Sequence, residues 1–359
     1  MEAGEWMSNE NLARRAFADI SFQGVDITKS IRPYFLSLAY TDNEEGEADD
    51  LQLRLQDREQ VWQEGWMEDM VNAAASGSFK IKADIVQENW KGGGKDARLP
   101  CGEFELDSVE ASGPPSVVLV RSTALPFSSS IRQTKKTKAW ESYSLRGIAK
   151  EIAGANSLGC MYESSLSPSY DRVEQSRQSD IKFLERLCKD AGLSLKATDK
   201  TLVVFDQADY EKRPPARTIR KGRDYLSYSL RTSTADTQYA SCRVSYSDPL
   251  TGKCVEGAAQ VDDYDEDAKN NQQLEITAKV SSSGEAKAIA EKRLRLHNKF
   301  SKTCKFVFPG DPALLAGNTV ELAGWGAFDG KYLINQAVHK LDGGGYTTTI
   351  NIRRVLGGY

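Results

Sequence analysis

Six carboxylates fall within nine positions: Asp42, Glu44, Glu45, Glu47, Asp49 and Asp50. Acids at this density could hold a divalent cation, carry acid–base chemistry, or sit in water at a turn. The run fails as a calcium loop, because Gly46 at the sixth position puts Thr41 rather than Asp at the first. Other reactive residue types are sparse. The histidines are His297 and His339. The six cysteines, Cys101, Cys160, Cys188, Cys242, Cys254 and Cys304, show none of the short spacings that zinc sites favour. They read as buried or indifferent thiols, with Cys242 and Cys254 on two strands of one hairpin, where they could be neighbours. Gly92-Gly93-Gly94-Lys95 is followed by Asp96 and so is not a P-loop. Gly324 to Gly330 misses the dinucleotide spacing, and HExxH, GxSxG and CxxC are absent. Glu103 and Glu105 read more simply as alternating acids on a strand than as a glycosidase pair. No catalytic residue, metal site or cofactor is expected.

Two basic stretches offer a counterpart to the acids. Arg132, Lys135, Lys136 and Lys138 form one; Arg213, Arg217, Arg220, Lys221 and Arg223 form the other. Both lie where linkers are expected. No nucleic-acid motif accompanies them, and 47 basic against 51 acidic residues leave a net charge of −4. Six acids this close repel one another, so burial without cations is disfavoured. The run is therefore expected as an exposed loop between two long strands, docking on basic protein surface. Its six acids, with Arg132, Lys135, Lys136, Lys138, Arg217, Arg220, Lys221 and Arg223, are the candidate docking residues.

The elements around these residues follow from periodicity. Leu36, Leu38 and Tyr40, then Leu51, Leu53 and Leu55, alternate with polar residues as strands with one wet face do. Val61 to Ala74 follow helical spacing, and strands resume at Phe79, Phe104 and Val117. Ser144 caps a helix with Leu145, Ile148, Ala149 and Ile152 on one face, and a second helix begins at Ser179 or Asp180. A hairpin turning at Asp199-Lys200 follows. After Pro214-Pro215 strands return, interrupted by a helix over 284–299 that Ser282 and Glu285 open with capping-box spacing. Both ends thus share a plan of strands, helix and strands. They also share a local pattern: Gly102-Glu-Phe104-Glu-Leu106 before a Gly-Pro-Pro turn, and Gly330-Lys-Tyr332-Leu-Ile334 before Gly343-Gly344-Gly345. This predicts two related β-barrels, with the helices at 60–75 and 284–299 in equivalent places. The chain's 359 residues suit three such units. No apolar run reaches the ~20 residues of a membrane span. No apolar signal-peptide core opens the chain, so synthesis into a cytosol is expected.

The stretches 31–59, 101–115, 175–193 and 308–354 resemble, in order, the phage late control D protein family. Those are baseplate hub proteins of contractile tails, similar to the hub part of the type VI secretion spike protein VgrG. The resemblance implies a β-rich α+β fold of two tail-tube-like β-barrels, each with one associated helix, joined by a small α+β domain. The boundaries would be 1–125 (residues 1–15 a candidate extended arm), 126–210 and 211–359. The implied function is structural, not enzymatic: a homotrimeric, pseudo-sixfold ring joining the sixfold tail tube to the trimeric spike. Implied partners are the tail tube or a tube-initiator protein and the spike, with tape-measure and baseplate-wedge or LysM-type proteins as further candidates. Neither sequence-specific nucleic acid nor membrane insertion is implied. The chain would reside in the bacterial cytoplasm during assembly, then in the particle's baseplate. A tail-associated peptidoglycan hydrolase is the alternative. Because the chain ends at Tyr359, just past the last expected strand, cutting and piercing are expected of other chains.

Overall fold

The computed structural model describes residues 13–60, 68, 72, 79–90, 96–124, 130–198, 201–233, 239–247, 252–262, 264 and 271–357. Alternation builds the first half. Its strands are β1 (Arg15–Phe22), β2 (Val25–Asp26), β3 (Phe35–Asn43), β4 (Asp50–Gln56), β5 (Lys80–Glu88), β6 (Ala97–Ser112) and β7 (Val117–Thr123). Every second residue turns inward: Leu38 and Tyr40 on β3, Leu51, Leu53 and Leu55 on β4, and Ile81, Ala83 and Ile85 on β5 share one core.

The middle unit contains β8 (Lys136–Ser144), β9 (Gly159–Glu163), β10 (Ser169–Gln178), β11 (Ser194–Thr198) and β12 (Thr201–Phe205). Helices Leu145–Ala155 and Asp180–Asp190 cover its sheets. The Ser144 hydroxyl accepts from the Gly147 amide at 3.2 Å, capping the first as its spacing predicts. Leu145, Ile148, Ile152, Phe183, Leu184 and Leu187 fill a separate core. A short helix, Gln207–Glu211, leads out of the unit. The expected turn at Asp199-Lys200 lies outside the described residues.

The second half adds β13 (Arg217–Arg220), β14 (Ser227–Thr232), β15 (Ser241–Ser247), β16 (Cys254–Gln260), β17 (Gln273–Thr277), β18 (Lys302–Pro309), β19 (Thr319–Ala323), β20 (Gly330–Asp342) and β21 (Gly345–Arg354). Phe306, Phe308, Val320, Tyr332, Ile334 and Ile350 form its core. The helix Ser283–Asn298 does not lie on this core. It packs on the separate three-stranded sheet β16-β15-β17, through Ile289, Ala290 and Leu294 against Cys242 and Val244. Ser282 accepts from the Glu285 amide at 3.2 Å, while Glu285 reaches back to the Ser281 amide at 2.8 Å.

Thirteen strands form one sheet spanning both halves. In the first half the lateral order is β3-β4-β7-β6-β5-β1; in the second it is β14-β18-β21-β20-β19-β13. The two orders match strand for strand. Gly102 and Gly330 both adopt positive φ, +103° and +124°, which glycine takes without strain. The bulge between Leu106 and Ser108 against β7 has its counterpart between Ile334 and Gln336 against β21. The short sequence match at 102–106 and 330–334 therefore marks a repeat of the strand frame. Among the described residues no strand pair closes either half upon itself; instead β3 pairs antiparallel with β20, from Ser37↔Asp342 to Asn43↔Gln336. The halves meet directly rather than only through the middle unit.

Two expectations change, and one lies beyond the described residues. The 60–75 helix falls outside the described residues apart from Gln60, Glu68 and Asn72. Cys242 lies opposite Ala259 and Cys254 opposite Ser247, at the two ends of their hairpin, so they are not neighbours. The basic stretches are not linkers, since Lys136 and Lys138 lie on β8 and Arg217 and Arg220 on β13.

Candidate functional site: the acidic hairpin and the basic stretches

The β3–β4 hairpin carries the acidic run, and most of it faces inward. Asp42, Glu44 and Asp49 are 4%, 3% and 2% exposed, Glu45 and Asp50 are half-buried, and Glu47 is exposed. This corrects the expectation of an exposed loop. The repulsion that argued for water is answered by cations from three segments distant in the chain. On β11, the Lys196 ammonium lies 2.6 Å from Asp42 and 3.7 Å from Asp49. Just past the helix Ser283–Asn298, Lys299 pairs with Glu45. On β21, the fully buried Arg353 lies 2.9 Å from Glu44 and 2.5 Å from Glu211, and Glu211 also pairs with Arg295.

Hydrogen bonds complete the enclosure. Asp42 accepts from the Ala316 amide at 2.8 Å, and Asp49 accepts from the Asn43 amide at 2.9 Å and the Thr198 hydroxyl at 2.8 Å. Ser194 donates to Glu45. Burial pushes the Glu44 carboxyl up, against the pull of Arg353. It pushes Asp49 up to about 6, with Lys196 opposing and Asp42 reinforcing. At Glu45 burial acts upward too, but Lys299 and Ser194 outweigh it and hold the carboxyl low. Asp50, with fewer partners, is pushed up by burial. The run therefore works as an internal lock, joining the first half to the middle unit, the helix Ser283–Asn298 and the last strand. None of Lys196, Glu211, Lys299 or Arg353 stood out in the sequence. Arg353 gave no signal at all, because it follows Ile352 in an alternating strand and is buried beside it.

The basic stretches are partly committed. Lys136 pairs with Asp180 at 2.6 Å, and Lys138 with Glu151 at 2.5 Å while lying over the Trp140 ring. Arg132 reaches Asp107 at 3.9 Å, and Arg217 reaches Asp311 at 3.0 Å. Lys135, Arg220, Lys221 and Arg223 are exposed and make no ion pair among the described residues. Arg132 shares a surface pocket with Glu47 and Asp50, but among the described residues neither stretch forms an ion pair with the acidic run.

His339 sits where the halves meet. Its Nδ1 lies 2.7 Å from the Tyr346 hydroxyl and its Nε2 3.1 Å from the Leu314 carbonyl, with Tyr40 stacked alongside. Burial holds its pKa down, at about 4. Both ring nitrogens are occupied by structural partners, so the imidazole has no free atom for a nucleophile. His297 packs edge-to-face on Tyr239. Among the described residues no three His, Cys, Asp or Glu side chains are placed to hold a metal, and no helix is long and apolar enough to cross a membrane.

Comparison with known proteins agrees with this architecture. The probable baseplate hub protein of Escherichia phage P2 is 32% identical over 173 residues, 46% of this chain and 39% of the relative. The chain thus spans about two fifths of that relative's length. Among solved structures, the 43 kDa tail protein of prophage MuSo2 from Shewanella oneidensis superposes with a TM-score of 0.66 at 13% identity, covering 94% of this chain and 98% of that one. The Escherichia coli c3393 protein, a component of the type VI secretion system, gives a TM-score of 0.57 at 11% identity, covering 95% and 78%. These likenesses show the fold: β-rich, of the kind found in phage tail and type VI secretion proteins. The profile of the phage tail baseplate hub (GPD) family matches residues 117–344, more than half of the chain. The chain belongs to the phage tail baseplate hub (GPD) family.

Proposed function

We propose that three copies of this chain form a pseudo-sixfold ring in the baseplate of a contractile particle, joining the sixfold tail tube to the trimeric spike. The observation that carries the reading is the repeated strand order, β3-β4-β7-β6-β5-β1 and β14-β18-β21-β20-β19-β13. Two like frames per chain turn threefold assembly into an approximately sixfold surface, which is what matching a tube to a spike requires. The chain acts as scaffold, in three units over 1–125, 126–210 and 211–359, and assembles in the bacterial cytoplasm. The exposed cations Lys135, Arg220, Lys221 and Arg223, with Glu47, are the docking residues for tube, spike or neighbouring baseplate proteins. Electron microscopy of purified particles tests this. Three copies in one ring are expected, and six copies or one would overturn it.

A further inference from the structure

Two edges of the sheet are open where the equivalent edge in the other half is paired, and the repeat says what belongs on them. On its edge away from β21, β20 pairs first with β19, through Gly330 to Leu333, and then with β3, through Gln336 to Asp342. The counterpart strand β6 pairs on its matching edge with β5 only through Glu105. Beyond that point Asp107, Ser108, Glu110, Ala111 and Ser112 are exposed, and among the described residues no strand lies on that edge. At the other end of the sheet β14 pairs, among the described strands, with β18 alone, and Leu226 and Tyr228 are 62% and 48% exposed. Its counterpart β3 uses the same edge to bind β20. Each half thus has a socket strand (β6 or β20) and an insert strand (β3 or β14). One socket and one insert are joined within the chain, and one of each is left over.

We infer that β14 of one copy of this chain pairs antiparallel with residues 108–112 of β6 in the next copy, repeating between molecules the β3–β20 pairing within one. This rests on the ring reading above and supplies its contact. The register follows from the observed pairs. Ser108 and Gln336 both directly follow the equivalent bulges, so Glu110 corresponds to Val338 and Ala111 to His339. Leu38 and Tyr228 face the equivalent residues Leu53 and Phe306, so Thr41 corresponds to Arg231 and Tyr40 to Leu230. Within the chain Val338 faces Thr41 and His339 faces Tyr40. Between copies, Glu110 therefore faces Arg231, and Ala111 faces Leu230.

The chemistry at these positions fits without having been used to derive them. A directly opposed Glu and Arg is a favourable cross-strand pair, and Arg231 makes no ion pair among the described residues. Glu110 has only a 4.0 Å contact to Arg121 at the surface. On the other face Val109 and Ala111 meet Leu230 and Thr232, extending the apolar layer that Tyr228 continues onto Phe306 and Trp325. The contact is head-to-tail, so it either closes into a ring or runs on as a filament. In a ring the edges of β6 and β14 are no longer open to chance pairing.

The test uses particles carrying the full chain with Glu110→Cys and Arg231→Cys together, treated with a short bifunctional thiol reagent. Linked species up to three chains are expected on a denaturing gel. Each single variant and the unaltered chain, whose Cys254 is exposed, should give none. A three-copy ring in micrographs without 110–231 linkage overturns this pairing and leaves the ring reading standing. Six copies or one overturn the ring reading itself. As a second arm, Glu110→Lys should cut particle yield by about tenfold through like-charge opposition, and Arg231→Glu in the same chain should restore it. Failure of the reversal to restore yield, with both chains folded by circular dichroism, also overturns the pairing.

Discussion

The two halves share a strand frame and differ in what joins its first two strands. In the first half β3 and β4 are connected by residues 44–49, dense in acid. In the second, the equivalent β14 and β18 are connected by 233–301, which holds the sheet β16-β15-β17 and the helix Ser283–Asn298. The two connections interact: Lys299, at the end of the long one, pairs with Glu45 in the short one. The halves also differ at the far strand, where β1 runs antiparallel to β5 but β13 runs parallel to β19. The frame is thus kept while its connections diverge, and the divergent parts hold the units together. Like charge collects at one hairpin because its counter-charges arrive from β11, β21 and the long insert, all remote in sequence.

The strongest way to break this arrangement is Arg353→Met. It leaves Glu44 without its ion-pair partner and Glu211 with Arg295, all in a buried site. Removing one partner of a buried pair costs about 3–5 kcal/mol. Urea unfolding should show that loss, and a loss below about 1 kcal/mol would mean the lock is open to water. Glu45 responds to the same logic: Glu45→Gln takes the partner from the buried Lys299 and should lower the melting temperature of the isolated protein.

A second perturbation separates His339 from the lock by pH. The folded state keeps His339 neutral down to about pH 4, while the unfolded chain takes up that proton near 6.5. Between these values the unfolded state binds more protons, so this group's contribution falls with decreasing pH, by about 3 kcal/mol in all. Asp49 works the other way. Its carboxyl takes a proton near pH 6 when folded and near 3.8 when unfolded, so its contribution rises as pH drops through that window. The unaltered protein should therefore show a shallow stability profile from pH 6.5 to 4. Asp49→Asn should make stability fall more steeply with acid, and His339→Gln should remove that fall. Parallel profiles for the two variants would mean that one of these groups is not buried as described.

A smaller effect probes the long connection alone. Ser282→Ala removes the hydroxyl that accepts from Glu285 and should cost about 1 kcal/mol. If the insert is integral to the lock, the loss appears in the single unfolding transition. If the insert unfolds separately, a minor early transition takes it up.

Much of this frame was legible in alternation. Leu51, Leu53 and Leu55, and the capped helices after Ser144 and Ser282, stand where their spacing puts them, because a half-buried strand or helix imposes a local period. The glycine-led match at 102 and 330 carried the repeat for a similar reason: a positive φ at the same point of the same strand needs glycine twice. What the alternation could not carry was pairing between remote segments. Nothing near Asp42 in sequence announces Lys196, and nothing near Glu44 announces Arg353. A rule that acids avoid burial without cations is sound, but applied to one stretch it cannot see cations that the fold delivers. Nor does alternation show that a helix packs on an inserted sheet instead of on the main core.

The last comparison lies within the hairpin itself. Glu47 is exposed at its tip, while Asp42 and Asp49 are enclosed at its base. Only the tip is placed to meet a partner, so the docking role first expected for the whole run narrows to one carboxylate and the exposed cations elsewhere. Glu47→Gln removes a charge that makes no ion pair recorded among the described residues, and a surface change of that kind shifts stability by no more than about 0.5 kcal/mol. The melting temperature should hold. If the tip docks on a basic partner, particle yield should fall modestly, and the difference from the unaltered protein should shrink as salt screens the contact over about 8 Å at physiological ionic strength. Glu47→Lys should deepen the defect, because it replaces attraction with repulsion. Unchanged yield for both variants at low salt would leave the tip a solvated turn and confine the hairpin's work to the interior.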